Sequence, residues 1–186
     1  IKYLNCKECT SVTNIPILPK LTELNCSECK NLTTIPILPN LTILNCGECT
    51  ALTDIPILPN LTTLWCTECT RLTTIPILIK LEELYCWGCT GLTSIPLLPK
   101  LITLHCNHCT SLVHIPILPK LEEMYYRNCK WIPGCYDFDS NIRALLDCQA
   151  IAKRKLTAKK LLRLIPEITA IYYSPACKGE LIAQKS

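Results

Sequence analysis

The chain has 186 residues, of which 49% are hydrophobic but only 6% aromatic, and its formal net charge is +4. Its apolar residues never run the roughly 18 positions that a membrane-spanning helix requires, so we expect a soluble protein. Residues 1–120 hold eight basic and eight acidic side chains, whereas residues 121–186 hold eleven and seven. The excess positive charge therefore lies in the C-terminal third, which predicts two parts with different roles.

A repeat of twenty residues begins at residues 1, 21, 41, 61, 81, 101 and 121. Its unit reads L-x-x-L-x-C-x-x-C-x-x-L-T-x-I-P-x-L-P-x, and we number the positions of each repeat from 1 to 20. Because successive side chains of a strand alternate between faces, positions 4 and 6 face inward and positions 3 and 5 outward. The prolines exclude a helix on the return path, since each lacks an N–H donor and restricts the residue before it. We therefore predict one thin coil per repeat, and seven coils stacked around one core.

The repeat unit resembles that of leucine-rich repeat proteins, with cysteine in place of the third leucine and of the asparagine in L-x-x-L-x-L-x-x-N/C-x-L. Its I-P-x-L-P ending resembles the short repeats of bacterial effectors. The resemblance covers residues 1 to about 130 and implies an α/β solenoid that is mostly β. Such a right-handed coil has a parallel sheet on its concave face and an extended, non-helical convex side. We predict a solenoid domain over 1–130 and a C-terminal cap with a basic helical segment over 131–186.

Cysteine pairs of the form C-x-x-C recur in the first six repeats, at positions 6 and 9. Neighbouring pairs read C-x2-C-x16-C-x2-C, a spacing that also occurs in four-cysteine zinc sites. In the solenoid register, however, both thiols of a pair face the core, where free cysteine packs as a small hydrophobe. We predict two buried thiol ladders in a reducing compartment, with no metal and no cofactor. A metal- or redox-responsive protein that works through these ladders is the alternative hypothesis.

The outward columns of the concave face change character along the chain. Position 5 carries asparagine in the first three repeats and aromatic rings or histidine in the last four, while position 8 carries glutamate in the first four. Exposed aromatic side chains dominate protein-binding hot spots, although aromatic neighbours also stabilise a sheet. The asparagines would alternatively form a structural ladder of side-chain amides. We predict that a protein partner binds to Trp65, Tyr85, Trp87, His105, Tyr125, Asn25, Asn45, Glu28, Glu48 and Glu68.

The repeat pattern decays in the seventh copy, where Tyr126 replaces the first cysteine, and residues 137–169 then show helical signals. We predict a small helical cap over the end of the solenoid core. This segment also contains six basic side chains with no acid between them. The alternative function that they indicate is binding of nucleic acid or another anion. These residues are Lys153, Arg154, Lys155, Lys159, Lys160 and Arg163.

The ending YYSPACKGELIAQKS, residues 172–186, resembles the C-terminal region of leucine-rich repeat proteins from giant DNA viruses, the marseillevirus group especially. The shared pattern is Y-Y-x-P-x-x-x-G, formed by Tyr172, Tyr173, Pro175 and Gly179. This resemblance implies a virus-encoded protein in the cytoplasm of the infected host cell or in the virion. The sequence shows no glycine-rich phosphate loop and no Ser/His/Asp set. We therefore predict a non-enzymatic scaffold that binds a host or viral protein, with nucleic acid not favoured and no membrane partner.

Overall fold

The computed structural model describes residues 1–113, 115, 116 and 118–129. Within this range the repeats form one parallel sheet of seven strands, ordered as they occur in the chain. The strands are β1 (Tyr3–Asn5), β2 (Glu23–Asn25), β3 (Ile43–Asn45), β4 (Thr63–Trp65), β5 (Glu83–Tyr85), β6 (Thr103–His105) and β7 (Glu123–Tyr125). The sheet is one side of a β-solenoid of about six turns, which confirms the predicted architecture.

Strand pairing follows the sequence period, because each residue lies opposite the residue twenty positions later. Leu24 pairs with Leu44, and the same register holds between every pair of neighbouring strands. Backbone pairing also continues past the strands: the N–H of Cys26 donates to the carbonyl of Asn45 at 2.8 Å, and that of Glu28 to Gly47 at 2.7 Å. Each coil is therefore held to the next along positions 2 to 8, well beyond the three residues of its strand.

The core consists of seven inward side chains per coil, at positions 1, 4, 6, 9, 12, 15 and 18. In the second coil these side chains are between 0 and 5% exposed, and they are Leu21, Leu24, Cys26, Cys29, Leu32, Ile35 and Leu38. Since each coil contributes the same set, the core is one continuous stack of similar layers. In the first coil Leu4, Cys6 and Val12 are only partly buried, because within the described residues that coil has a neighbour on one side only.

The convex return path is extended, as the proline columns predict, and the described residues contain no helix. Consequently this part of the chain has no helix that is long and apolar enough to cross a membrane. Ile79, which stands where the other repeats carry proline, is 55% exposed, so the substitution places an apolar side chain on the surface. The predicted helical cap and the domain boundary after residue 130 lie outside the described residues.

Candidate functional site

The two cysteine columns are buried, as predicted, in every coil from the second to the sixth. Position 9 also has a specific partner, because its thiol donates a hydrogen bond to the carbonyl of position 6 in the preceding coil. The sulfur of Cys49 lies 3.1 Å from the carbonyl oxygen of Cys26, and that of Cys109 lies 3.0 Å from the oxygen of Cys86. The same carbonyl also accepts the N–H of position 9 in its own coil, as from Cys29 to Cys26 at 3.3 Å, so the thiol is a second donor to it. An aliphatic side chain of similar size would not supply that second hydrogen bond.

Hydrogen bonding and burial keep the position 6 thiols protonated. The hydrogen bond to Cys69 and the loss of solvation together raise the pKa of Cys46 well above its usual value. The hydrogen bond to Cys49, followed by burial, likewise raises the pKa of Cys26, whereas burial raises the pKa of the less buried Cys6 to about 11. The hydrogen bond with Cys26 lowers the pKa of Cys49, a position 9 thiol. Thiolates are the reactive form of cysteine, so the position 6 column is unsuited to nucleophilic chemistry.

The thiol pairing differs from the C-x-x-C grouping that suggested zinc. Each position 9 thiol donates to position 6 of the preceding coil, twenty-three residues earlier in the chain, as Cys69 does to the carbonyl of Cys46 at 3.1 Å. In the part of the chain that the structure describes, no three His, Cys, Asp or Glu side chains are arranged to hold a metal ion. The rings of His105 and His108 pack against aromatic side chains of the sheet surface. The metal hypothesis therefore gains no support from the geometry.

Four rings at position 5 form a continuous stack that we call the aromatic column. Neighbouring ring centroids lie 5.6 Å apart for Trp65 and Tyr85, 4.7 Å for Tyr85 and His105, and 4.1 Å for His105 and Tyr125. The strand pairing places these residues directly opposite one another, so the spacing between strands brings the rings into contact. Tyr85 also donates a hydrogen bond to Glu83 at 3.3 Å. The structure therefore brings together four of the predicted partner-binding side chains.

Trp87 lies beside the aromatic column, at position 7. Its indole is 42% exposed and meets the ring of His108 edge to face, with centroids 6.0 Å apart. The neighbouring Gly88 has a φ of 72°, and a Cβ added there would lie 2.7 Å from Cδ and Oε1 of Glu68. The carboxylate of Glu68 is thus folded over the glycine that follows Trp87. The indole of Trp87 and the carboxylate of Glu68 thus lie on neighbouring coils of this surface.

The asparagines of the first three coils have a local structural role that differs from the proposed amide ladder. The side-chain oxygen of Asn25 accepts hydrogen bonds from the N–H of Ser27 at 3.1 Å and from its hydroxyl at 2.8 Å. That of Asn45 accepts from the N–H of Gly47 at 3.1 Å. These are contacts within one coil, two residues apart, and they stabilise the turn that follows each strand. As predicted site residues, Asn25 and Asn45 therefore have an evident structural function.

Position 8 is a turn position rather than part of a strand, and its backbone is left-handed in all seven coils. Glu28, Glu48 and Glu68 have φ values of 62°, 59° and 54°. Left-handed backbone suits glycine and asparagine, which occur in the same column as Gly88 and Asn128, better than glutamate. Sequence reasoning identified the column as outward-facing but missed this conformation.

Charge is divided between two neighbouring surfaces. Positions 3, 5, 7 and 8, which we call the strand face, carry seven glutamates against Lys7 and Arg127. Positions 20 and 2, which we call the basic edge, carry five lysines against Glu82 and Glu122. Within the described residues the ion pairs are formed by Lys7, whose nitrogen lies 3.2 Å from oxygens of both Glu8 and Glu28. The near-neutral solenoid therefore has an acidic strand face, and its acids beside the aromatic column have no cationic partner in the described chain.

The structure also shows an exposed apolar surface that sequence reasoning missed. Position 17 forms a column on the convex side, which we call the isoleucine stripe, and its members are between 59 and 72% exposed. They are Ile17, Ile37, Ile57 and Ile77. Reading position 17 as a column would have found the stripe, because positions 15 and 18 on either side are the inward ones. The other predicted site, the basic residues of 153–163, lies outside the described residues.

Two comparisons place the fold among known proteins. A profile described as Leucine Rich repeats (2 copies) matches residues 39–80. A crystal structure of a leucine-rich repeat protein of T. pallidum (TpLRR) superimposes with a TM-score of 0.57 at 15% sequence identity, covering 84% of this chain and 78% of that one. No curated protein matches the sequence. The chain has the leucine-rich repeat fold. Proteins built on this fold are generally non-enzymatic scaffolds for protein–protein interaction.

Proposed function

We propose that this protein is a non-enzymatic scaffold that binds another protein through the strand face of its solenoid. The observation that carries the proposal is the aromatic column, whose rings lie on a sheet surface that no other described part of the chain covers. Stacking restricts the orientations of these rings, so little conformational entropy is lost when a partner covers them. Large, rigid aromatic side chains at the centre of a surface are the usual anchors of protein interfaces.

Within the strand face, the proposal assigns different roles to the predicted residues. Trp65, Tyr85, His105 and Tyr125 with the adjacent Trp87 are the anchors. The glutamates of position 8, namely Glu28, Glu48 and Glu68, flank them as polar contacts. Asn25 and Asn45 act indirectly, because their hydrogen bonds hold the turns that present those glutamates.

Capture of partners by the immobilised full-length chain tests this function. The double variant Trp65→Ala/Tyr85→Ala removes half of the aromatic column, while Ile57→Ser/Ile77→Ser changes the isoleucine stripe on the opposite side as a matched control. We expect proteins that are recovered by the wild type and by the stripe variant, but not by the column variant. Equal recovery by all three chains would place the interaction elsewhere and overturn the proposal.

The setting that we propose is a reducing compartment, the cytoplasm of an infected cell or the virion, with a host or viral protein as partner. The thiol hydrogen bonds support a reducing environment, because oxidation of Cys49 or Cys109 would remove an S–H that donates to a core carbonyl. The viral origin rests on the ending at 172–186 alone. Differential alkylation of the protein in its native cells checks the redox state: we expect reduced thiols throughout positions 6 and 9, and disulfides there would contradict the proposal.

A further inference from the structure

Two aromatic side chains of the strand face are largely exposed, Tyr125 at 45% and Trp87 at 42%. The rings of the aromatic column use their faces to contact each other, at interplanar angles of 16° to 38°. Trp87 stands outside that stack and is 42% exposed, so its indole is available to a ligand. The carboxylate of Glu68 lies over Gly88, the residue that follows Trp87 in the sequence. An exposed aromatic ring and a carboxylate on neighbouring coils of one surface are groups that together bind a guanidinium or ammonium group.

Further carboxylates lie along the other side of the aromatic column. Glu83 accepts the hydrogen bond of the Tyr85 hydroxyl, and Glu123 faces His105 closely enough to oppose the effect of burial on its pKa. Burial lowers the pKa of His105, so its ring carries no charge at neutral pH. Across the strand face as a whole, seven glutamates stand against two basic side chains. The aromatic surface is therefore bordered by negative charge on both sides.

We infer that the strand face binds an extended basic segment of another protein, with an arginine or lysine side chain seated against Trp87 and Glu68. This inference rests on the proposed function and adds the chemistry of the partner. Complementary charge accelerates association and excludes acidic competitors, which the aromatic rings alone would not do. The basic edge, with its five lysines, adjoins this surface and confines such a segment to the strand face by repulsion.

A synthetic peptide provides the test. An extended peptide of about nine residues spans the roughly 30 Å across seven strands. We would use a fluorescein-labelled peptide of alternating arginine and serine, and an otherwise identical peptide with glutamate in place of arginine. Fluorescence anisotropy with the full-length chain should show at least about tenfold tighter binding of the arginine peptide, and the difference should shrink as ionic strength rises.

Matched variants distinguish binding at a specific site formed by Trp87 and Glu68 from general attraction between opposite charges. Glu68→Gln removes the charge at the proposed seat, and Asp54→Asn removes the same charge off the strand face, where Asp54 accepts a hydrogen bond from Thr53. We expect Glu68→Gln and Trp87→Ala each to weaken binding of the arginine peptide about fivefold or more, and Asp54→Asn to leave it unchanged. Equal losses for Glu68→Gln and Asp54→Asn, or equal binding of both peptides, would overturn the inference.

Two readouts distinguish failure of this inference from failure of the proposed function. If protein capture depends on Trp65 and Tyr85 but the arginine peptide is not preferred, the scaffold function stands and the basic partner is refuted. If capture is independent of the aromatic column while the peptide still depends on Trp87 and Glu68, the basic seat stands and the assignment of the column as the protein anchor fails.

Discussion

The first three coils and the last four have the same core but different strand faces. Both halves bury the same seven positions, and both satisfy the same core carbonyls with position 9 thiols. On the strand face, however, Asn25 and Asn45 bond to their own turns, whereas Tyr85 and His105 stack on rings of neighbouring coils. The comparison shows that the inward columns and the backbone hydrogen bonds between coils hold the same register in both halves. The outward columns are consequently free to specialise, and they do so in the second half.

Truncation of a core leucine tests the claim that the two halves share one core, and it should have the largest effect. We expect Leu44→Ala and Leu84→Ala each to lower the free energy of unfolding by about 2–5 kcal/mol, because each removes a fully buried side chain. Urea unfolding followed by circular dichroism measures both. The exposed Ile57→Ala is the control, with an expected loss below about 0.5 kcal/mol. If only one of the two leucine substitutions destabilises the protein, the two halves do not share one core.

Removal of a thiol donor from each half should have the next largest effect. Cys49→Ala and Cys109→Ala each remove the S–H donor of a core carbonyl that keeps its backbone N–H donor, and we expect a loss of about 0.5–1.5 kcal/mol in both. The serine variants retain a donor and should recover part of that loss. The same unfolding measurement compares them. If alanine and serine variants are equally stable, the position 9 cysteines act only by filling space.

The left-handed turns also differ between the halves, because position 8 carries glutamate in every coil of the first half and glycine, as Gly88, in one coil of the second. We expect Glu48→Gly to raise the free energy of unfolding by about 0.5–1 kcal/mol, since it relieves the strain at a φ of 59° but adds freedom to the unfolded chain. The reverse exchange, Gly88→Glu, should lower it by about 1 kcal/mol, because a side chain is strained at the φ of 72° that Gly88 adopts, and the flexible Glu68 carboxylate must also move aside. The midpoint temperatures of thermal unfolding of the two variants should shift in opposite directions relative to the wild type. Shifts in the same direction would contradict the assigned strain.

The smallest effect concerns pH and is confined to the aromatic half. Burial lowers the pKa of His105 in the folded state, so in acid the unfolded chain takes up this proton more readily. The contribution of the neutral ring to stability is therefore complete above the ordinary pKa of about 6.5 and is lost as pH falls below it. His105→Asn installs the residue that the first half carries in this column, and it should flatten the pH dependence of stability between about pH 5 and 7. An unchanged profile would show that another group titrates.

Most of the fold was predictable because every inward column repeats the same residue type. Leu24 and Cys26 could be assigned to the core, and Pro36 and Pro39 to an extended return path, by alternation and proline chemistry alone. The membership of the aromatic column was predictable in the same way, since a twenty-residue period places Trp65, Tyr85 and their successors on neighbouring strands. The C-terminal cap, the basic segment and the viral setting remain predictions.

The backbone conformation of position 8 and the side-chain contacts between neighbouring coils could not be predicted from the sequence. Glutamate is not a residue that indicates left-handed backbone, so the conformation of Glu28 or Glu48 had no local signal. The bond from the Cys49 thiol to the carbonyl of Cys26 spans twenty-three residues and pairs each thiol outside its own C-x-x-C group. The contact of Glu68 with Gly88 likewise joins two coils and depends on side-chain direction.

The sequence by itself determined the solenoid, its period, its core and the residues that face outward, because a strict repeat constrains each coil in the same way. The tertiary structure decided which of those outward residues act together. Stacking at the strand spacing joined four rings into one column, and a left-handed turn brought the Glu68 carboxylate over the glycine beside Trp87. The physical reason is that periodicity specifies the direction of a side chain relative to the core, whereas contacts between coils specify its neighbours.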